Sequence, residues 1–325
     1  MRDLYKIGEN YLLKGLDIPE QFNFTFSDGV KDTVITNLSL SEKGQSFWYD
    51  ELTSKRLYYE RKINDIEVAQ KFFSIDDSNI GYMYIPSMFG SKEAPTYYNV
   101  FHKFMDDAKS TKAIIFDIRN NGGGLRDLIF DIAGYIVHPD SIYVVNVTQP
   151  RATQPLSAYW KYGLNYKHLY AYNQLDAEEQ EVVDKFKKTF KPVYDLPEDK
   201  YGEFHYAIFN GKKLSQDKYF YNKPIYILAN ERSFSAASVM AAVFKGLPNV
   251  YLVGETTDAS SGHSKTFYLP NSNVKVRIST MVSFQKDGKP FDGYGTEPDI
   301  RITRDLDQVL WKEDTQLNKL KTMIK

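Results

Sequence analysis

The chain has 325 residues, of which 42% are apolar and 26% charged, and its net charge at pH 7 is −1. That length supports a real core in one large or two smaller domains, and the near-zero charge offers no electrostatic basis for binding nucleic acid or an anionic membrane. The absence of cysteine excludes disulfides, a thiol nucleophile and thiolate metal sites.

The N-terminal stretch MRDLYKIGENYLLKG is polar and amphipathic. Leu4, Ile7, Tyr11 and Leu12 fall at helical spacing, which predicts a short helix over residues 2–14. It holds no apolar h-region of a signal peptide, and no stretch of the chain approaches the length of a membrane span. FNFTFSDGVKDTVITNL then alternates on both sides of Asp28-Gly29, a β-hairpin signal. A helix and a hairpin over residues 1–50 are too thin to hold a core alone.

From about residue 70 the pattern changes. NIGYMYIPSM reads as a strand, TYYNVFHKFMDDAKS as a helix, KAIIFDIR as a fully buried strand and LRDLIFDIAGYIV as a helix. Strands alternating with helices predict an α/β core with a largely parallel sheet over residues 70–305. Residues 141–222, rich in Tyr, Lys and Asp, interrupt that rhythm and read as a long excursion over the site, a candidate lid, with a helix at AEEQEVVDKFKKTF. The core resumes with KPIYILAN, a serine-rich helix start, the short buried strand NVYLVGE and a hairpin at TFYLPNSNVKVRIST. It closes with DGKPFDGYGTEPDI, and residues 306–325 read as a C-terminal helix.

Three glycine- or serine-bearing turns each follow an apolar strand: RNNGGG (119–124), NERSFS (230–235) and GETTDASSG (254–262). In a parallel sheet the carboxyl ends of the strands share one edge, where ligands bind, so the three turns are expected to face a common site. Gly122 to Gly124 suit a close approach of backbone to a phosphate, to an oxyanion held at a helix N-terminus, or simply a tight strand-to-helix turn. Without a following Lys-Ser/Thr they make a poor P-loop. Ser233, Ser235 and Ser238 crowd a helix start, where local chemistry points to capping by Ser233 or Ser235, and no G-x-S-x-G surrounds Ser235. The five histidines form no metal-ligand pair, and no cofactor is implied. Alone, His263 reads as a surface-loop residue, and Asp292 and Glu297 as turn carboxylates.

Taken together and in order, IIFDIRNNGGG, ILANERSFSAAS, LVGETTDASSG and DGKPFDGYGTEPDI resemble the C-terminal processing (tail-specific) serine protease family, which includes the tricorn core proteases. The resemblance spans about residues 78–302. It implies a crotonase-like ββα fold and hydrolysis of peptide bonds in unfolded or C-terminal protein segments. It also makes the hairpin near the N-terminus the last part of a PDZ-like domain whose first strands would precede Met1. By the family pattern Ser235 is the nucleophile, and the N–H groups of Gly122 or Gly123 and of Ala236 form the oxyanion hole. Asp292 matches the acidic position that ends the tricorn-like network. The lysine that many members carry 25 residues after the serine is replaced here by Ser260. The base is then either a histidine upstream of this chain or His263. The alternative is a catalytically incomplete protein that holds peptides without cutting them, and a third reading is a small-molecule binder on the same fold. Family members are usually exported, and the lack of cysteine agrees with that expectation.

Overall fold

The computed structural model describes residues 11, 14–27, 31–39, 58–59, 61–152, 155–260, 263–272, 274–309 and 312–324. The chain divides into two compact units, Met1–Arg61 and Lys62–Lys325. In the first, β1 (Phe22–Ser27) pairs antiparallel with β2 (Asp32–Leu38), the hairpin expected around Asp28-Gly29. The helix expected over residues 2–14 falls almost wholly outside the described residues.

The second unit opens with a short helix, α1 (Ile66–Gln70), then β3 (Phe73–Ile75) and β4 (Ile80–Tyr84). Next come α2 (Pro95–Asp107), β5 (Ala113–Asp117) and α3 (Asp127–Ile136). The excursion carries β6 (Ile142–Pro150), α4 (Ala158–Asn165), β7 (Tyr170–Ala171), α5 (Ala177–Lys187), β8 (His205–Asn210) and α6 (Gly211–Leu214). Then follow β9 (Ile225–Ala229), α7 (Ala236–Phe244), β10 (Val250–Gly254), β11 (Ser264–Tyr268), β12 (Lys275–Ser279), β13 (Met281–Phe284) and β14 (Ile300–Arg301). The described residues of 306–325 hold two helices, α8 (Leu306–Val309) and α9 (Thr315–Met323), where the sequence led to the expectation of one.

The central sheet has the order β14-β10-β9-β5-β4-β3 and is parallel throughout except for β3 at its edge. The architecture is α/β. Every residue of β5 is buried, as expected of a parallel strand covered on both faces. On one face Ile80, Ile115, Leu228, Val253 and Ile302 pack with Leu320 of α9. Toward the other, α2 starts with Pro95, whose missing N–H is harmless in a first turn, and buries Tyr97, Phe101, Phe104 and Met105. It comes so close to β4 that a Cβ on Gly81 would lie 3.2 Å from the Phe104 ring. The C-terminal helix is held by ions as well as by packing. Arg119, at the end of β5, forks between Asp117 (Nη2–Oδ2 2.5 Å) and Asp314 (2.6 Å), the N-cap of α9.

The excursion is not a loop. Its strands join β13 in a second sheet, β13-β6-β8-β7, and α5 packs Val183 against Val144, Val147 and Ile208. A capping box between Asp176 and Glu179 starts α5, and Lys213 pairs with both carboxylates at 2.6 and 2.7 Å. The β11–β12 hairpin expected from the sequence is present. No helix among the described residues is long and apolar enough to cross a membrane.

Candidate active site

Because β5, β9 and β10 are parallel neighbours, their three following turns meet at one edge of the sheet. Backbone hydrogen bonds stitch them together. The N–H of Phe234 donates to Asn121 O at 2.9 Å, and that of Ser235 to Ser260 O at 3.0 Å. Asp258 N–H donates to Ser233 O at 3.1 Å.

The three serines of the helix start have different fates. Ser233 is buried; its Oγ donates to Ile118 O at 2.9 Å and accepts from Asn230 N–H at 3.1 Å, tying β9 to β5. Ser238 is buried as well, with its Oγ 3.0 Å from Thr257 Oγ1 and donating to Asp258 O at 2.9 Å. Ser235 occupies the N-cap position of α7 yet makes no side-chain cap bond, so the capping expected of Ser233 or Ser235 is not what either hydroxyl does. Its hydroxyl has no hydrogen-bond partner among the described residues.

The Ser235 backbone is at φ 54°, ψ −121°, a combination that L-residues seldom adopt. Such a residue costs on the order of 1–3 kcal/mol and persists only where its surroundings over-determine it. Here Ser260 O holds Ser235 itself and Asn121 O holds the preceding Phe234, while Val239 N–H bonds back to Ser235 O at 3.0 Å. Gly123 lies directly against it at φ +88°, and a Cβ there would be 2.6 Å from Ser235 Cβ and 3.0 Å from Ala236 N.

Ser235, Ala236, Gly124 and His263 line one cavity of about 310 Å³, together with Arg126 and Lys167. The Ala236 N–H has no acceptor among the described residues and opens the helix whose dipole favours negative charge at that end. Gly123 N–H, by contrast, donates to Asn121 Oδ1 at 2.8 Å. Of the expected glycine donors, it is therefore already engaged, and Gly122 and Gly124 are the neighbouring ones.

His263 is exposed, and its Nδ1 lies 3.1 Å from Thr280 Oγ1. The Thr280 hydroxyl donates to His263 O at 2.9 Å. With its one proton so placed, Thr280 Oγ1 accepts from Nδ1–H, and the neutral ring keeps its lone pair on Nε2. Burial first, then the charges of Lys167 and Arg277, lower the His263 pKa below its ordinary value. Asp292 is not among the residues lining the cavity. It sits half-buried in a turn joined to the Ser260 segment through Gly293 N–H to Ala259 O at 2.8 Å.

Sequence reasoning missed Arg126, Lys167, Arg277 and Thr280. Only Arg126 carried a signal, standing two residues past the glycine run at the start of a helix. Across the described residues no group of three or more His, Asp or Glu could hold a metal ion.

Solved structures share the fold, and two serve as examples. Mature CPAF complexed with lactacystin matches with a TM-score of 0.54 at 16% identity, over 78% of this chain and 53% of that one. A putative peptidase from Parabacteroides merdae matches with a TM-score of 0.52 at 17% identity, over 100% of this chain and 83% of that one. The chain thus spans about half the length of the CPAF structure. The family model of peptidase family S41 matches residues 79–302. These residues contain all four motifs on which the resemblance to C-terminal processing proteases rests, and the chain belongs to peptidase family S41.

Proposed function

We propose that this chain is a serine endopeptidase acting on unfolded or C-terminal protein segments. Ser235 Oγ attacks the scissile carbonyl, and the N–H of Ala236 with that of Gly122 or Gly124 receives the developing oxyanion. His263 Nε2 takes the hydroxyl proton as Oγ bonds to carbon, then returns it to the leaving amine as the peptide bond breaks. Water repeats the sequence on the acyl-enzyme. Thr280 holds the imidazole in the required tautomer, and Asp292 supports the network from the adjoining turn.

The observation that carries this reading is the conformation of Ser235. A strained backbone presents a hydroxyl and, beside it, a helix N–H that have no partner among the described residues, while Ser233 and Ser238 are engaged. A larger cavity of about 500 Å³ is lined by Trp160, Phe267, Ile278 and by Thr280, the residue that contacts His263, and offers room for an extended chain. The test is turnover of casein by the chain and by Ser235→Ala, with fluorophosphonate labelling of Ser235. Cleavage and labelling lost together in the mutant support the reading; equal turnover removes Ser235 from the mechanism.

Two observations favour the second reading, a protein that binds peptides without cutting them. No base accepts from Ser235 Oγ among the described residues, and Ser260 stands where many relatives carry lysine. Tight peptide binding without labelling of Ser235 would establish it.

A further inference from the structure

The cavity at Ser235 is lined by cations that have no counter-ion among the described residues. Arg126 is only 6% exposed. Its Nη1 donates to Asn146 Oδ1 and Lys167 O, each at 3.3 Å, and both acceptors are neutral. No carboxylate pairs with it among the described residues, and the adjacent Asp127 is 3.3 Å from His168 Nε2. Lys167 Nζ donates to Gly163 O at 3.3 Å, and Arg277 Nε donates to Ser264 Oγ. Neither has an ion-pair partner among the described residues. No Asp or Glu lines the cavity.

Burying a guanidinium without a counter-ion is strongly unfavourable. Desolvation alone lowers the Arg126 pKa to about 10, and burial followed by the Arg126 charge lowers that of Lys167. The three cations come from separate parts of the chain, the start of α3, the turn after α4 and β12. Packing of any one element does not account for their meeting beside a serine hydroxyl. An anion entering the cavity would relieve the imbalance. Guanidinium forks suit a carboxylate in particular, which accepts two parallel N–H bonds.

We propose that Arg126, Lys167 and Arg277 form a pocket for an acidic side chain of the substrate, so that the chain selects peptides carrying Asp or Glu within one residue of the bond presented to Ser235. This rests on the peptidase reading above. The test is binding of short, labelled, unstructured peptides to the full chain bearing Ser235→Ala. Each peptide is made with Glu or Gln at the central position, and with a free or amidated C-terminus. The Glu peptides bind about tenfold or more tightly than their Gln counterparts whatever the terminus, as expected for a charge-assisted pair. That ratio falls toward one in Lys167→Gln and Arg277→Gln. Arg126→Gln removes a buried side chain and can disturb folding, so the exposed Arg277 carries the test independently. Equal binding of Glu and Gln peptides overturns the proposal. Dependence on amidation alone overturns it too, assigning the cations to a chain terminus instead. Fluorophosphonate labelling of the wild-type chain separates the two levels. Labelling without Glu preference overturns the pocket only, whereas neither labelling nor peptide binding overturns both.

Discussion

Gly123 and Ser235 sit so close that no side chain fits between them, with an added Cβ on Gly123 falling 2.6 Å from that of Ser235. The strand-end turn after β5 thus forms one wall of the site, and its geometry and that of the serine are set together. Gly123→Ala should push Ser235 and Ala236 apart and force alanine into φ +88°. The expected outcome is loss of Ser235 labelling and about 1–3 kcal/mol of stability, read by denaturant unfolding. Wild-type labelling in that variant would show that the wall is not needed.

Ser235→Ala keeps the backbone bonds to the Asn121 and Ser260 turns and removes only a hydroxyl that has no partner among the described residues. We expect turnover to fall by about 10⁴-fold or more, with the fold intact by circular dichroism. Ser233→Ala should do the reverse. It leaves Ile118 O and Asn230 N–H without their shared partner and costs about 1–3 kcal/mol, measured by urea unfolding.

With His263 as the base, activity requires the neutral ring. Its pKa is lowered by burial and by Lys167 and Arg277, so the neutral form persists to lower pH and the acid limb of kcat/KM should fall below pH 6.5. Arg277→Gln removes one of those charges and should move the limb upward. Thr280→Val, which releases the tautomer, should lower kcat by about 10-fold or more at unchanged fold. An acid limb unaffected by His263→Ala would assign the base elsewhere.

The Arg119–Asp314 pair anchors α9 to the end of β5. Burial works to raise the Asp314 pKa, but the hydrogen bonds and charge of Arg119 outweigh it, and the net shift is downward. A carboxylate so lowered contributes stability that is fully present above its unfolded pKa and lost as pH falls through the folded one. Asp314→Asn should therefore destabilise by about 1–2 kcal/mol at neutral pH, discounted for the partial exposure of Asp314. The gap between wild type and variant should narrow below pH 3.8. Chemical unfolding at pH 7 and pH 3 measures both; a pH-independent gap would deny the ion pair its role.

The sequence by itself determined the parallel core. Ala113–Asp117 and Ile225–Ala229 are apolar runs bounded by turn residues, and each turn carries its glycines or serines in adjacent positions. Short-range periodicity is enough to place such strands and to bring their ends to one edge. Only the tertiary structure decided which serine hydroxyl lacks a partner among the described residues. Ser233 and Ser235 have nearly the same local chemistry, and a bond to Ile118 O across the sheet separates them. The meeting of Arg126, Lys167 and Arg277, the Thr280–His263 contact and the second sheet that the excursion forms with β13 were likewise invisible. Each joins segments far apart in the chain, through strand register and loop closure, and no local pattern encodes which distant groups those constraints bring together.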